Sequence, residues 1–215
     1  MIKYFALLLL CAGAYGNSTA QTYIAPDIRD RMPHQKTMAI LPTQAPVPPT
    51  RRQLKELTPE QIEEIQDNSS FAFQRSVYQW FINQAHGNTL QIQDPEVTDS
   101  LFKASGLSVK DVIYGEKTNL AQILGVDVLL SATLRAKQEY TDGGMTATPY
   151  GGFGPDYDIP TLDVFIAIDL YDGQNGDHLW GYEGDRDGGY FARYADQKTI
   201  DKLLKNAYRL YPYKK

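Results

Sequence analysis

Residues 161–172 read TLDVFIAIDLYD, and aliphatic side chains occupy every second position from Leu162 to Leu170. The positions between them are mixed and include Asp163 and Asp169. Strict alternation over this length predicts a β-strand with one face against a core. Such a strand needs a neighbouring strand for its backbone and a second layer for its apolar face. The chain must therefore build a layered domain around a sheet.

The stretch YDGQNGDHLW (171–180) follows the alternation and predicts a tight turn with a returning strand. Asn175-Gly176 supplies positive φ angles at low cost, and the Asp172 carboxylate can accept hydrogen bonds from nearby backbone amides. The returning arm, HLWGYEG, carries Leu179 and Tyr182 as its alternating apolar residues. The sequence therefore predicts a β-hairpin here.

A helix start is well marked in LTPEQIEEIQ. Thr58 is the expected N-cap, Pro59 the first helical residue, and Gln61 the partner in a capping box. The DNSS stretch (67–70) is expected to interrupt this helix before a second amphipathic stretch, which should end at Gly87.

Further strands are predicted at 38–41, 89–94 and 126–140, and further helices after Pro95, within 108–125 and over 195–213. Trp80 and Phe81 are expected to be core side chains. Together the elements predict an α/β (α+β) domain. It should hold a mixed sheet of about five strands with three or four helices packed on it.

The predicted domain spans residues 36–212. Residues 21–35 contain two prolines and are expected to form an extended leader. Residues 141–160 are expected to form a flexible glycine-rich loop before the hairpin. A second glycine-rich loop is expected at RDGGYFARY (186–194).

The first twenty residues have the pattern of a secretory signal peptide. Lys3 provides a positive start, an apolar run follows, and small residues precede an expected cut after Ala20. Cys11 leaves a second interpretation open, because lipoprotein signals also end a leucine-rich stretch at a cysteine. In that case the mature chain would be lipid-anchored at Cys11 rather than free after cleavage.

The charge balance is acidic. Residues 1–20 contain Lys3 and no acidic residue, so their removal leaves 20 basic residues against 26 acidic ones, a net charge of −6. This balance argues against nucleic-acid binding by bulk charge. Membrane contact is expected only through a lipid at Cys11.

Two acidic pairs are the candidate metal ligands: Asp172 with Asp177, and Asp185 with Asp187. Calcium loops place oxygen ligands at alternate positions and add a distant glutamate. Asp172 and Asp177 lack that spacing, whereas Asp185 and Asp187 have it but are followed by no third or fourth acid at a suitable position. We therefore interpret them as turn and loop residues, with calcium as the alternative. No cofactor is predicted.

The histidines His34, His86 and His178 have no close metal spacing, and no G-x-S-x-G elbow is present. No catalytic residue is predicted. In the loop 141–160, Tyr150, Phe153 and Tyr157 are the candidate interaction surface, and a plain mobile loop is the favoured alternative.

Two motifs connect the chain to a known group of proteins. A helix end runs into a strand at Leu124, Gly125, Val126 and Asp127, and the hairpin carries Asp172, Asn175, Gly176, Leu179 and Trp180. With a strand ending in AILPT and an amphipathic helix after it, residues 36–210 resemble bacterial envelope lipoproteins related to the curli-secretion channel family and the amino-terminal domain of TolB.

The resemblance implies an envelope-facing α/β domain that binds other proteins, and it brings no catalytic residues. Channel formation is not carried over. The outer face of strand 161–172 is too acidic for a lipid-facing arm, and the glycine-rich insert does not alternate.

We therefore predict a non-enzymatic interaction or assembly module, exported to the periplasm or to the periplasmic face of the outer membrane. Its partners would be other envelope proteins or a second copy of itself. The alternative is a secreted hydrolase or small-ligand-binding protein. That function would require Asp156, Asp158, Asp185 and Asp187 to converge in a pocket.

Intact-mass analysis of the mature protein tests the export prediction. We expect a chain that starts at Gln21, because the small residues before it suit signal peptidase. A mass that corresponds to an acylated Cys11 start would establish the anchored form instead.

Overall fold

The computed structural model describes residues 21–43, 53–84, 87–140, 145–147, 153–155, 160–190 and 197–215. Cys11, Ala20, His86, Tyr150, Asp156, Tyr157 and Asp158 lie outside these ranges, so the predictions made for them remain predictions.

One mixed sheet of six strands organises the described residues. Its strands are β1 (Gln21–Ile24), β2 (Thr37–Ile40), β3 (Gln91–Ile92), β4 (Val128–Tyr140), β7 (Pro160–Asp172) and β8 (His178–Tyr190). Their order is β1-β8-β7-β4-β2-β3. Strand β2 is parallel to β3 and β4, and the other neighbours are antiparallel. The predicted fold class is confirmed, with one more strand in the sheet than expected.

The helices are α1 (Ile28–Arg31), α2 (Gln53–Glu56), α3 (Pro59–Asn83), α4 (Pro95–Ala104), α5 (Val109–Tyr114), α6 (Lys117–Leu124) and α7 (Gln197–Arg209). A 3₁₀ turn over Met32–His34 follows α1. Strands β3 and β4 lie on opposite sides of β2 in the sheet. The chain reaches β3 from β2 through α3, and it then runs back past β2 to β4 through α4–α6. Crossovers that run in opposite directions place their helices on opposite faces of a sheet. Within the described ranges, no helix is both long and apolar enough to cross a membrane.

The segment 21–35, expected to be an extended leader, contributes a strand and a helix to the fold instead. Strand β1 pairs antiparallel with β8, and Ala25 and Ile28 are buried in the core. The two prolines that suggested an extended chain are compatible with this structure, because Pro33 lies in the first turn of the 3₁₀ helix.

Helix α3 begins as predicted. The Thr58 hydroxyl accepts a hydrogen bond from the Gln61 amide, and the Gln61 side chain accepts one from the Thr58 amide. The expected break at 67–70 is wrong, because the helix continues to Asn83. The Ser69 and Ser70 hydroxyls donate hydrogen bonds to the backbone carbonyls of Ile65 and Gln66, respectively. These bonds keep the two polar residues compatible with a helix.

The single helix expected within 108–125 is two helices, α5 and α6. Ser108 caps α5, and α6 ends at Gly125, whose φ of +66° is the left-handed conformation expected of a glycine stop.

The predicted hairpin is confirmed: it consists of β7 and β8, which pair antiparallel from Thr161 opposite Tyr190 to Tyr171 opposite His178. Strand β4 pairs with β7 along its whole length, from Val128 opposite Asp172 to Tyr140 opposite Pro160. Within the predicted loop 141–160, two short strands pair with each other: β5 (Met145–Ala147) and β6 (Phe153–Pro155). Residues 186–190, expected in a second loop, belong to β8.

Two apolar clusters fill the two faces of the sheet. On the first face, helices α3 and α7 cover the aliphatic residues of β7 together with those of β2 and β4. On the second face, α4–α6 cover Ala39, Leu41 and Leu129. Phe81 is fully buried in the first cluster, as predicted, and Trp80 packs against it from a partly exposed position.

The aromatic part of the first cluster generates a stability prediction. The Phe81 ring lies 5.4 Å from the Tyr211 ring and 5.9 Å from the Tyr208 ring, centroid to centroid. Phe81→Ala should lower the free energy of unfolding by about 3–5 kcal/mol, because it removes these contacts and leaves a cavity. Ile82→Ala, on the exposed side of the same helix, should change it by less than about 1 kcal/mol. Urea denaturation compares the two, and equal losses would contradict the packing described.

Candidate functional site

The hairpin turn uses its acidic side chains within the protein. Asp172 is almost completely buried, and one of its carboxylate oxygens accepts a hydrogen bond from the Gln174 amide at 2.8 Å. Asn175 accepts a hydrogen bond from the Asp177 amide, and Gly176 adopts a φ of +75°. The turn chemistry predicted from the sequence is therefore present.

Arg31 connects this turn to the N-terminal segment. Its guanidinium donates to Asp172 at 3.1 Å, lies 2.8 Å from the Asp177 carboxylate, and bonds Asp27 on its own helix. These hydrogen bonds, that to Asp177 first, raise the pKa of Arg31 above its ordinary value. The arginine gives the two turn aspartates a cationic partner that the sequence reading did not identify.

Gln35 and Tyr213 add further polar contacts around Arg31 and the two turn aspartates. We call these five residues (Arg31, Gln35, Asp172, Asp177 and Tyr213) the turn clasp. The Gln35 amide donates to Asp172 at 3.2 Å, and the Tyr213 hydroxyl donates to the Gln35 carbonyl oxygen. Burial raises the pKa of Tyr213, so its hydroxyl keeps the proton that it donates. The turn clasp joins the start of the described chain, the hairpin and the C-terminus.

The two motifs that carried the family resemblance meet beside the turn clasp. The Gly173 amide donates to the Asp127 carbonyl at 2.7 Å, and a Cβ at Gly173 would lie 2.7 Å from the Val126 carbonyl. The Asp127 carboxylate accepts hydrogen bonds from the amides of Lys36 and Thr37 and from the Thr37 hydroxyl. Burial opposes its ionisation, but these bonds outweigh burial and lower the pKa of Asp127. Both motifs therefore have an architectural role.

A recess of about 420 Å³ opens next to these residues and is lined by Asp30, Arg31, His34, Asp127 and Asp172 among others. Across the described ranges, no three His, Cys, Asp or Glu side chains are grouped so that they could hold a metal ion. The second calcium candidate, Asp185 with Asp187, lies in strand β8 opposite Phe165 and Asp163 rather than in a loop.

The second face of the hairpin carries an acid–histidine pair that sequence reasoning missed. The His178 Nε2 atom lies 2.9 Å from an oxygen of Asp169. The Tyr23 ring of β1 stacks on the imidazole at 4.8 Å, and the Tyr171 ring lies 5.3 Å away. Burial raises the pKa of Asp169, and the neighbouring His178 opposes that rise only in part.

A β-bulge creates this pair. Tyr171 is opposite His178, but Leu170 is opposite Trp180, so Leu179 is an extra residue in β8. The bulge puts His178 on the second face while Leu179 and Trp180 are buried in the first cluster.

Gly181 leaves the space that the imidazole occupies. A Cβ there would lie 2.9 Å from both the Asp169 oxygen and the His178 ring. The signal in the sequence was an aspartate and a histidine nine positions apart across a predicted turn.

The pair lies at the edge of the half of the sheet that the described helices leave uncovered on the second face. On the first face of β7, every residue from Val164 to Leu170 that points to the core is buried. On the second face, Phe165, Ala167 and Asp169 are partly exposed. Glu183 and Asp185 of β8 are exposed, and so is every residue of β1. Tyr23 and Ile24 expose 47% and 53% of their surface.

Phe153, one of the three candidate contact residues of the loop 141–160, lies in the short strand β6.

Comparison with known proteins finds no matching family model and no matching curated protein. Among solved structures, the chain is similar to lipoprotein GNA1162 from Neisseria meningitidis, at 15% identity over 81% of this chain and 96% of that one, with a TM-score of 0.41. It is similar to the hypothetical protein CT253 from Chlamydia trachomatis, at 12% identity, 83% and 97% coverage and a TM-score of 0.43. The LpoB C-terminal domain from Salmonella enterica matches at 12% identity, 74% and 92% coverage and a TM-score of 0.31. Solved neighbours thus include a bacterial lipoprotein, and the resemblance to the curli-secretion family and TolB remains a prediction.

The turn clasp predicts that two aspartates five positions apart differ in their effect on stability. Asp172→Ala should lower the free energy of unfolding by roughly 2–3 kcal/mol, because Gln35 and the Gln174 amide lose a buried acceptor. Asp177→Ala should cost less than about 1 kcal/mol, since its side chain is half exposed. Urea denaturation measures both, and a larger loss for Asp177→Ala would show that the clasp is wrongly assigned.

Proposed function

We propose that the protein is an exported, non-enzymatic interaction module of the cell envelope, and that strand β1 is the edge to which a partner strand adds. The observation that carries this proposal is the exposure of β1. It is the outermost strand of the sheet next to β8, and all four of its residues, Gln21 to Ile24, are exposed.

The outer backbone edge of such a strand presents N–H and C=O groups that another strand can bond. In the part of the chain that the structure describes, β1 pairs with β8 alone. Proteins commonly protect exposed edges with charged residues or proline, and the sequence QTYI contains neither. An added strand would gain main-chain hydrogen bonds and would find Tyr23 and Ile24 on opposite faces.

The edge is held in place before any partner arrives. The Ala25 amide donates to the Leu179 carbonyl at 2.8 Å, which attaches the end of β1 to the hairpin. Tyr23 stacks on His178, and Arg31 joins the following helix to the hairpin turn. A preformed strand loses less conformational entropy on binding than a flexible segment does. The expected cut after Ala20 would make β1 the first element of the mature chain.

The placement of the acidic residues favours an interaction module over the alternative of a hydrolase or small-ligand binder. That alternative requires Asp185 and Asp187 to join Asp156 and Asp158 in a pocket. Asp185 and Asp187 lie in strand β8 rather than in a glycine-rich loop, and Asp187 is opposite another aspartate, Asp163.

A photo-crosslinking residue at position 24 tests the proposal. In cells, we expect a specific adduct with a second copy or with another envelope protein. Ile24→Lys, with the crosslinker moved to position 22, should reduce that adduct at least about tenfold, because a buried ammonium cannot be accommodated at a strand interface.

Val97 provides the matched control, since it is a similarly exposed apolar residue on helix α4. A crosslinker there should give no such adduct, and Val97→Lys should leave the position 22 adduct unchanged. Adducts of equal yield at positions 24 and 97, or none at position 24, would contradict a partner site at β1.

A further inference from the structure

An open groove between helices α3 and α7 has a charge opposite to that of the whole protein. Its volume is about 1060 Å³, and its lining includes the cations Arg75, Lys198, Lys202, Lys205, Arg209 and Lys214. Asp201 is the one acidic residue among the described residues that line it. The 215 residues together, by contrast, have a net charge of −5.

Four of these cations form a straight stripe along α7. Lys198, Lys202, Lys205 and Arg209 follow one another at spacings of four, three and four residues, which places them on one face of the helix. The stripe is about 16 Å long at 1.5 Å per residue. The opposite face of α7, with Ile200 to Ala207, is buried in the core. The helix therefore cannot rotate its charges away from the groove.

In the described part of the chain, the four cations of the stripe form no ion pair, and Asp201, the acidic residue beside them, accepts a hydrogen bond from the Gln197 side chain. Arg75 across the groove, by contrast, lies 3.4 Å from Asp99. Neighbouring like charges at a spacing of four residues destabilise a helix by a few tenths of a kcal/mol per pair. A row of cations beside a recess attracts an elongated anion.

Aromatic rings form the floor of the groove. Trp80 is partly exposed, and its ring meets that of Tyr208 edge to face at 5.4 Å. The Lys214 ammonium lies 5.9 Å from the centre of the Tyr208 ring. The groove thus offers an apolar ring face next to a row of cations. A sugar chain that carries carboxylates has the complementary alternation of flat, weakly polar ring faces and negative groups.

We propose that this groove binds a strand of an acidic polysaccharide, with uronate carboxylates along the α7 stripe and a sugar ring against Trp80. A bilayer surface is a poorer fit, because the cations line a recess and the apolar face of α7 is already buried. Export, predicted from residues 1–20, would bring the groove into contact with extracytoplasmic polyanions rather than with nucleic acid. This site is separate from the β1 edge, so either proposal can fail without the other.

Tryptophan fluorescence can follow this binding directly. The chain has two tryptophans; Trp180 is fully buried, and Trp80 lines the groove. Titration of the mature chain with oligogalacturonate should give a saturable change in emission that weakens as salt is added. Trp80→Phe should remove the signal. Lys202→Glu/Lys205→Glu should raise the dissociation constant at least about tenfold, measured by calorimetry.

The matched control is Lys55→Glu/Lys103→Glu, which changes the net charge equally at two exposed lysines outside the groove lining. It should leave the dissociation constant within about twofold of that of the parent chain. If the stripe variant does not fold by circular dichroism, Lys202→Gln/Lys205→Gln replaces it.

Several results would overturn the proposal: no saturable binding of oligogalacturonate, an equal loss in both charge-reversed variants, or equal binding of neutral dextran. Tighter binding of phosphatidylglycerol vesicles or of single-stranded DNA, lost in the stripe variant, would assign the groove to a different polyanion and would also overturn it.

Discussion

The complete burial of the aliphatic face of β7 is the constraint on which the rest of the structure depends. Val164, Ile166, Ile168 and Leu170 have no exposed surface, because α3 and α7 cover them. Four such side chains contribute roughly 6–12 kcal/mol of transfer free energy, which is comparable to the whole stability of a typical domain. Once this face is covered, the sheet must present its other face to α4–α6, and these helices cover only part of it.

That incomplete cover explains where the two proposed surfaces lie. Helices α4–α6 lie over the parallel part of the sheet, so the antiparallel side ends in an exposed strand, β1, next to the Asp169–His178 pair. On the first face, α7 lies beside α3 and leaves a groove between them. The edge offers backbone groups and apolar side chains, whereas the groove offers cations. Two such different chemistries suit two different classes of partner. The acidic overall charge, which argues against anionic partners in bulk, does not describe the local field at the groove.

Local sequence chemistry predicted much of the secondary structure. Thr58 with Gln61, Gly125 and Gly176 each act through neighbours a few residues away, so their roles could be identified without a fold. The bulge at Leu179 could not be identified in this way. Its cause is the fit of Leu179 and Trp180 into the same core, which turns His178 to the opposite face. The continuity of α3 through 67–70 was missed for a related reason, because the buried residues Ser70, Phe73 and Gln74 pack along one unbroken helix. The Gln74 amide also bonds the Ile40 carbonyl at 2.8 Å.

The sequence by itself determined the fold class, the central hairpin and the chemistry of its turn, because alternation, capping and glycine conformations are local properties of the chain. Only the tertiary structure decided what the polar residues do. Arg31 and Asp172 are 141 positions apart, and their ion pair exists because β1 and α1 return to the far end of the hairpin. Lysines spread along α7 became one wall of a groove because α7 docks beside α3. Long-range contacts of this kind depend on how whole elements pack, which no local pattern records.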